Sequence, residues 1–480
     1  MKYNICLVLF FIFYGLKCLC AGEVTVSGKN QEYAHETITF NIYENFITGN
    51  ENKIAVVTAD STGAFSFKVN ISETEFVFAH IGREFLYIYL EPEKTYNINL
   101  PPKTIKTQDE ILNPYFEEIR KPFTINYSKF TNRAGFDEKS KELNFLIRSF
   151  DNTFDPIYAD YSIKVYSNSN SSILDSLIRR IDSIFNENSN PYFKDYINYK
   201  IGLLKFMSTK FKSRNISDTY FLNKSVLYRN PAFMALFNQV YDKYFVYFGR
   251  TQSGKIIYDD IDTRKSLASL RITLAQDKVL SNDTLKDLVI LKGIHDGCYE
   301  MDFSRNGLIQ ILDSIIITSH ITMHRVVAKD IRDKVTRLLP GYPPPAFKLL
   351  NQDSIWVSLS SFKDTMVYII FCTTQNYSCF KEYDQLKKIQ QKHGDILKIV
   401  TISVDESLSY IRNFTKKYAY NWTFLYYGDQ PDILKDYDIR TIPTYYLVGP
   451  DGKLIMSPAP APSEQFEMYL FEYMKGKHLL

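Results

Sequence analysis

From residue 22 to about residue 101, apolar and polar positions alternate in short runs. Thr37–Tyr43, Lys53–Thr58, Ala64–Val69, Phe76–Phe78, Phe85–Leu90 and Tyr96–Leu100 each read as a strand, since residues two apart share one face of an extended chain. Asp60-Ser61-Thr62-Gly63 and Glu91-Pro92-Glu93-Lys94 read as turns between them. Strands spaced by roughly 8–12 residues predict a small β-sandwich over residues 22–102.

Between residues 103 and 337 the period lengthens, which predicts an irregular α-helical domain. Ser172-Ile173-Leu174-Asp175 reads as a capping box. Leu174, Leu177, Ile178, Ile181, Ile184 and Phe185 follow it at helical spacing. Pro191 opens a second helix through Tyr196, Ile201, Leu204 and Phe206, and Pro231 a third from Phe233 to Phe248. Similar patterns recur at 284–294, 305–318 and 321–338, while 167–172 and 186–190 read as polar loops. No fixed repeat length supports a solenoid.

The remainder, 338–480, changes character again. Met366–Phe371 and Leu397–Val404 are continuous apolar runs, the mark of strands buried on both faces. Helical patterns follow each, at Tyr377–Lys392 and Leu408–Tyr418. Ile355–Leu359 and Thr444–Val448 read as further strands, Gly449–Gly452 as a hairpin turn into Lys453–Ile455, and Ser463–Lys475 as a closing helix. Strand, helix, strand, helix, hairpin and helix make a mixed α/β domain. The whole is a multidomain α+β protein.

Composition narrows the function. Across 480 residues, 45% hydrophobic against 23% charged excludes wholesale disorder. A net charge of +3, from 57 basic and 54 acidic residues, is too slight to imply a nucleic-acid partner. The apolar run Ile5–Leu16 between Lys2 and Lys17 falls short of the roughly 20 residues of a membrane span. With small residues at Ala21-Gly22 it reads as a signal peptide over 1–21. The expectation is an exported protein of the periplasm or cell envelope, tied to a membrane only if Cys18 or Cys20 is lipidated. Beyond the signal only Cys298, Cys372 and Cys379 remain, too few for a disulfide framework.

Asp436-Tyr437-Asp438-Ile439-Arg440-Thr441-Ile442-Pro443-Thr444-Tyr445-Tyr446-Leu447-Val448-Gly449-Pro450-Asp451-Gly452-Lys453 closely resembles a stretch of the thioredoxin superfamily. The likeness is strongest to its TlpA/ResA-like branch of envelope thiol-disulfide oxidoreductases, and it covers roughly residues 339–478. It implies a cis Ile442–Pro443 bond, with Ile442, Pro443 and Thr444 offering backbone groups to an extended peptide. The β-rich region resembles the domain often found ahead of such modules in Gram-negative envelope proteins, on Asp60–Val69 and Tyr89–Tyr96.

The family carries a W-C-x-x-C-x-x-E motif after its buried strand. Here the run is Phe371-Cys372-Thr373-Thr374-Gln375-Asn376-Tyr377-Ser378-Cys379-Phe380-Lys381-Glu382. The resemblance makes Cys379 the resolving cysteine, puts Asn376 in place of the nucleophile, and matches Glu382 to the acidic position. Exchange starts when a low-pKa thiolate attacks a disulfide, which an asparagine amide does not do. The expectation is therefore a binding or scaffold module for an envelope protein or peptide, without the dithiol cycle. The alternative is an oxidoreductase using Cys379, with Cys372 as a bridge partner seven residues away or else a small buried hydrophobe. No cofactor is expected, since this chemistry uses protein thiols alone. His295-Asp296-Gly297-Cys298 and the His320/His324 pair lack a further ligand, so no metal site is expected.

Overall fold

A computed structural model describes residues 21–476, except 114, 128–140, 167–173, 186–187, 210–212 and 429. The signal-like segment with Cys18 and Cys20, the capping residues Ser172 and Ile173, the polar loop 167–172, and residues 186–187 of the second polar loop lie outside the described residues. No helix among those described is long and apolar enough to cross a membrane.

The N-terminal strands are β1 (Gly22–Lys29), β2 (Thr37–Tyr43), β3 (Glu51–Thr58), β4 (Ala64–Ile71), β5 (Glu75–Ile81), β6 (Glu84–Leu90) and β7 (Thr95–Asn99). Two short strands follow, β8 (Ile119–Pro122) and β9 (Thr124–Ile125). They form one sheet in the order β4-β1-β7-β9 and another in the order β3-β2-β5-β6-β8. The core between the sheets holds Val24, Val26, Phe40, Phe67, Val77, Leu86, Ile88 and Ile98. The Asp60 carboxylate accepts from the Thr62 and Ala64 N–H groups, at 2.7 and 3.0 Å, which fixes the turn into β4. Gly63 takes φ +73° there, and a Cβ on it would lie 2.0 Å from the Asn30 carbonyl oxygen. The sandwich thus takes in β8 and β9 from the stretch read as helical, because short strands around Pro122 carry too few residues to show a period of two.

Two strands of the second sheet are apolar on both faces. Val77, Ala79, Leu86 and Ile88 point into the sandwich. Phe76, Phe78, Phe85, Tyr87 and Tyr89 stack on the opposite face. Helices cover that face: Tyr89 meets Tyr192 and Tyr196 of helix Pro191–Ser208, at 6.0 and 6.1 Å between ring centres. Asn144, at the start of helix Leu143–Tyr166, pairs with both the N–H and the carbonyl of Tyr89. By contact the chain parts into two compact units, the described residues of 1–103 with 120–240, and those of 104–119 with 241–480. The helical stretch is therefore shared between them, since β5 and β6 need an apolar cover. The third expected helix stops at Val240, and a separate one runs Tyr244–Gly249. Arg305–Thr318 and Thr322–Thr336 lie where the periodicity puts them.

The C-terminal sheet holds β10 (Lys348–Asn351), β11 (Trp356–Ser358), β12 (Met366–Cys372), β13 (Leu397–Ser403), β14 (Thr423–Tyr426), β15 (Thr444–Val448) and β16 (Leu454–Met456). Its order is β11-β10-β14-β13-β12-β15-β16. Every residue of the central β12 is buried. Tyr368, Ile370 and Cys372 face the layer containing Tyr383, Leu386 and Phe466. Val367, Ile369 and Phe371 face Tyr437 and Leu434 on the other side. This strand-in-the-middle α/β layering is thioredoxin-like.

Candidate active site

The alternation along β12 decides where its last residue points. Cys372 shares a face with Tyr368 and Ile370, the face against helix Tyr377–His393. Cys379 begins the buried side of that helix, and the two sulfurs form a disulfide with Cα atoms 5.9 Å apart. Both residues are buried, at 1% and 0% exposure, which shields the sulfurs from a reacting partner.

The loop that the bridge closes is held from several sides. Thr373 N–H points at Cys379 Sγ, 3.4 Å away. Asp405, itself buried, accepts from Thr373 Oγ1 at 2.8 Å, from Thr374 N at 3.0 Å and from Thr374 Oγ1 at 3.0 Å. Ser403 Oγ also donates to it. Asn376 is the N-cap of the helix: its Oδ1 accepts from Ser378 N at 2.8 Å and Cys379 N at 3.3 Å. That role suits an asparagine, whose side chain satisfies donors the first helical turn leaves open. Gln375 and Tyr377 are exposed on either side of it.

Glu382 lies one turn on, buried, and accepts from Ser463 N at 3.1 Å and Ser463 Oγ at 2.6 Å. The neighbouring Tyr445 hydroxyl has no hydrogen-bond partner among the described residues. Burial first, and then the charge of Glu382, push its pKa well up, so it stays protonated. Across the sheet, Thr444 pairs with Phe371, which sets Pro443 beside the end of β12. The Ile442–Pro443 bond is cis, and Ile442, Pro443 and Thr444 are partly exposed. The structure thus brings Cys372, Cys379, Asn376 and the Ile442–Thr444 turn to one end of the sheet. Glu382 is tied instead to the Pro462–Glu464 turn. Cys298 is remote in sequence and buried, its thiol pushed up to about 12 by burial. Sequence reasoning missed Asp405; its place just past a buried parallel strand is the available signal.

Residues 340–457 match the model of the AhpC/TSA family. The C-terminal domain is an AhpC/TSA thioredoxin-like domain. Its relatives include the thiol-disulfide oxidoreductase ResA of Bacillus subtilis, 31% identical over 117 residues, covering 24% of this chain and 64% of ResA. The chain thus spans just under two thirds of that relative. The thioredoxin-like protein YneN of the same species is 28% identical over 115 residues, covering 23% of this chain and 66% of YneN. Among solved structures, the thioredoxin domain of a thiol-disulfide oxidoreductase from Bacteroides vulgatus is 23% identical with a TM-score of 0.27, covering 28% of this chain and 98% of that one. The AhpC/TSA domain accounts for the C-terminal quarter of the protein.

Proposed function

We propose that the AhpC/TSA domain is a peptide-binding module of an exported envelope protein that does not run a dithiol exchange cycle. The observation that carries this reading is Asn376. It caps the helix where a nucleophilic thiol would stand, and it engages the two N–H groups that would otherwise stabilise a thiolate. The remaining cysteines are buried in their mutual bridge, away from an approaching disulfide. Extended polypeptide would pair with backbone groups of Ile442–Thr444 beside that bridge. Export rests on the signal-like segment between Lys2 and Lys17.

The formed Cys372–Cys379 bridge favours a second reading, an oxidoreductase that passes electrons through this pair. The relatives named as thiol-disulfide oxidoreductases point the same way. Dithiothreitol-driven insulin reduction separates the two. The binding reading expects no turnover from the wild type, and turnover from Cys372→Ala/Asn376→Cys. Wild-type turnover that vanishes in Cys379→Ser would overturn it.

A further inference from the structure

A second site lies wholly within the unit built on the sandwich. Two adjoining clefts of about 580 and 500 Å³ open between the aromatic face of β5 and β6 and the helices above it. Tyr87, Tyr89, Arg120, Asp151 and Asp155 line both. Arg120, on β8, lies over three rings: its guanidinium carbon is 4.7 Å from the centre of Phe85, 5.3 Å from Phe76 and 5.6 Å from Tyr87. Stacking fixes the plane of the group and leaves its edge donors free. Arg120 makes no hydrogen bond or ion pair among the described residues, and it is exposed.

The opposite wall is one face of helix Leu143–Tyr166. Asn144, Arg148, Asp151 and Asp155 recur there at helical spacing. Arg148 is also exposed and unpaired among the described residues. The two carboxylates are already engaged. Tyr196 donates to both oxygens of Asp151 at 3.0 Å, and Lys200 lies 3.3 Å from Asp151 and 3.4 Å from Asp155. Lys121 is matched by Glu84 at 2.5 Å. Three cations (Arg120, Arg148, Lys200) therefore face two anions (Asp151, Asp155), and the unpaired charges are the two arginines. The Tyr87 hydroxyl sits in the field of Asp151, Arg120, Asp155 and Arg148, and burial pushes its pKa to about 12, so it remains a donor.

We infer that this cleft binds a small organic anion, a carboxylate or phosphate joined to a flat apolar body. Arg120 and Arg148 take the anionic head, the Tyr87 hydroxyl donates to it, and the half-buried rings of Tyr43 and Phe46 meet the apolar part. A planar guanidinium matches two oxygens of either head group at once. An apolar wall beside it favours a ligand with a ring over a bare ion.

The test uses the full-length protein, titrated with benzoate, phenyl phosphate and benzyl alcohol and read by saturation-transfer NMR. At least one anion binds, and benzyl alcohol binds about tenfold or more weakly by comparison. Preference for benzoate assigns a carboxylate head, and preference for phenyl phosphate a phosphate. Arg120→Gln, an exposed substitution checked for folding by circular dichroism, weakens the preferred anion about tenfold or more. Asp155→Asn removes a nearby negative charge and tightens it. Equal binding of benzyl alcohol, undiminished binding to Arg120→Gln, or no binding of either anion at millimolar concentration would overturn the assignment.

Discussion

Reducing the Cys372–Cys379 bridge should loosen β12 and the helix after it by a predictable amount. The bridge spans seven residues. In the chain-entropy treatment, a loop of that size costs the opened chain about 8 cal/mol/K, or about 2.4 kcal/mol at 25 °C. Burial of the sulfurs adds little to the comparison, since both thiols stay in the same apolar layer after reduction. At about 1.4 kcal/mol per tenfold, amide exchange from openings that free both cysteines should accelerate about fiftyfold. The protein would be reduced with a phosphine in denaturant, refolded, and compared with the oxidised form by hydrogen–deuterium exchange over residues 366–393. Alkylation of both thiols confirms the reduction. Equal protection of those segments in the two forms would refute the reasoning, because the bridge would then restrain nothing that opens.

Other outcomes follow from the same end of the sheet and from the helical region. Asp405→Asn removes the charge that gathers Thr373, Thr374 and Ser403, and should cost about 3 kcal/mol in chemical denaturation. Asn376→Ala deletes the helix cap and should cost about 1 kcal/mol in the same measurement. His324 is buried, and burial first, then Arg271, holds its pKa down to about 4 from 6.5, with Asp287 opposing. A depressed folded-state pKa gives stability that is present above pH 6.5 and lost as the pH falls through about 4, a loss of about 3 kcal/mol. Denaturation from pH 7 to 4 should show that slope in the wild type and lose it in His324→Leu.

Much of the C-terminal domain was legible, because it is written in local patterns. Met366–Phe371 is too apolar to be anything but a strand covered on both faces, and the Ile442–Pro443–Thr444 motif marks its neighbour. The fold class and the family resemblance follow from those runs. Less visible were features set by distant partners. Lys348–Asn351 and Thr423–Tyr426 are four residues each, and pairing with β11, with β13 and with one another makes them strands. Helix Leu143–Tyr166 falls within the stretch read as helical but has no separate sequence signal; it carries Pro156 inside, where a proline ordinarily removes a backbone donor. At the site, the sequence presented Asn376 as a missing thiol. Its positive role as a cap rests on the backbone of Ser378 and Cys379. The grip of Asp405 on a loop some thirty residues earlier has no local signature either.

The two-sided apolar character of β5 and β6 has a consequence for how the protein comes into being. Synthesis delivers the chain from its N-terminus, so the sandwich strands emerge before the helices that begin at Leu143 and Pro191. Until those arrive, Phe76, Phe78, Phe85, Tyr87 and Tyr89 form a bare aromatic sheet surface, of the kind that draws chaperones or other copies of the chain. A fragment cut at residue 102 would keep that surface exposed for good. A fragment that keeps this face covered has to include the helices up to Val240, the end of the unit built on the sandwich.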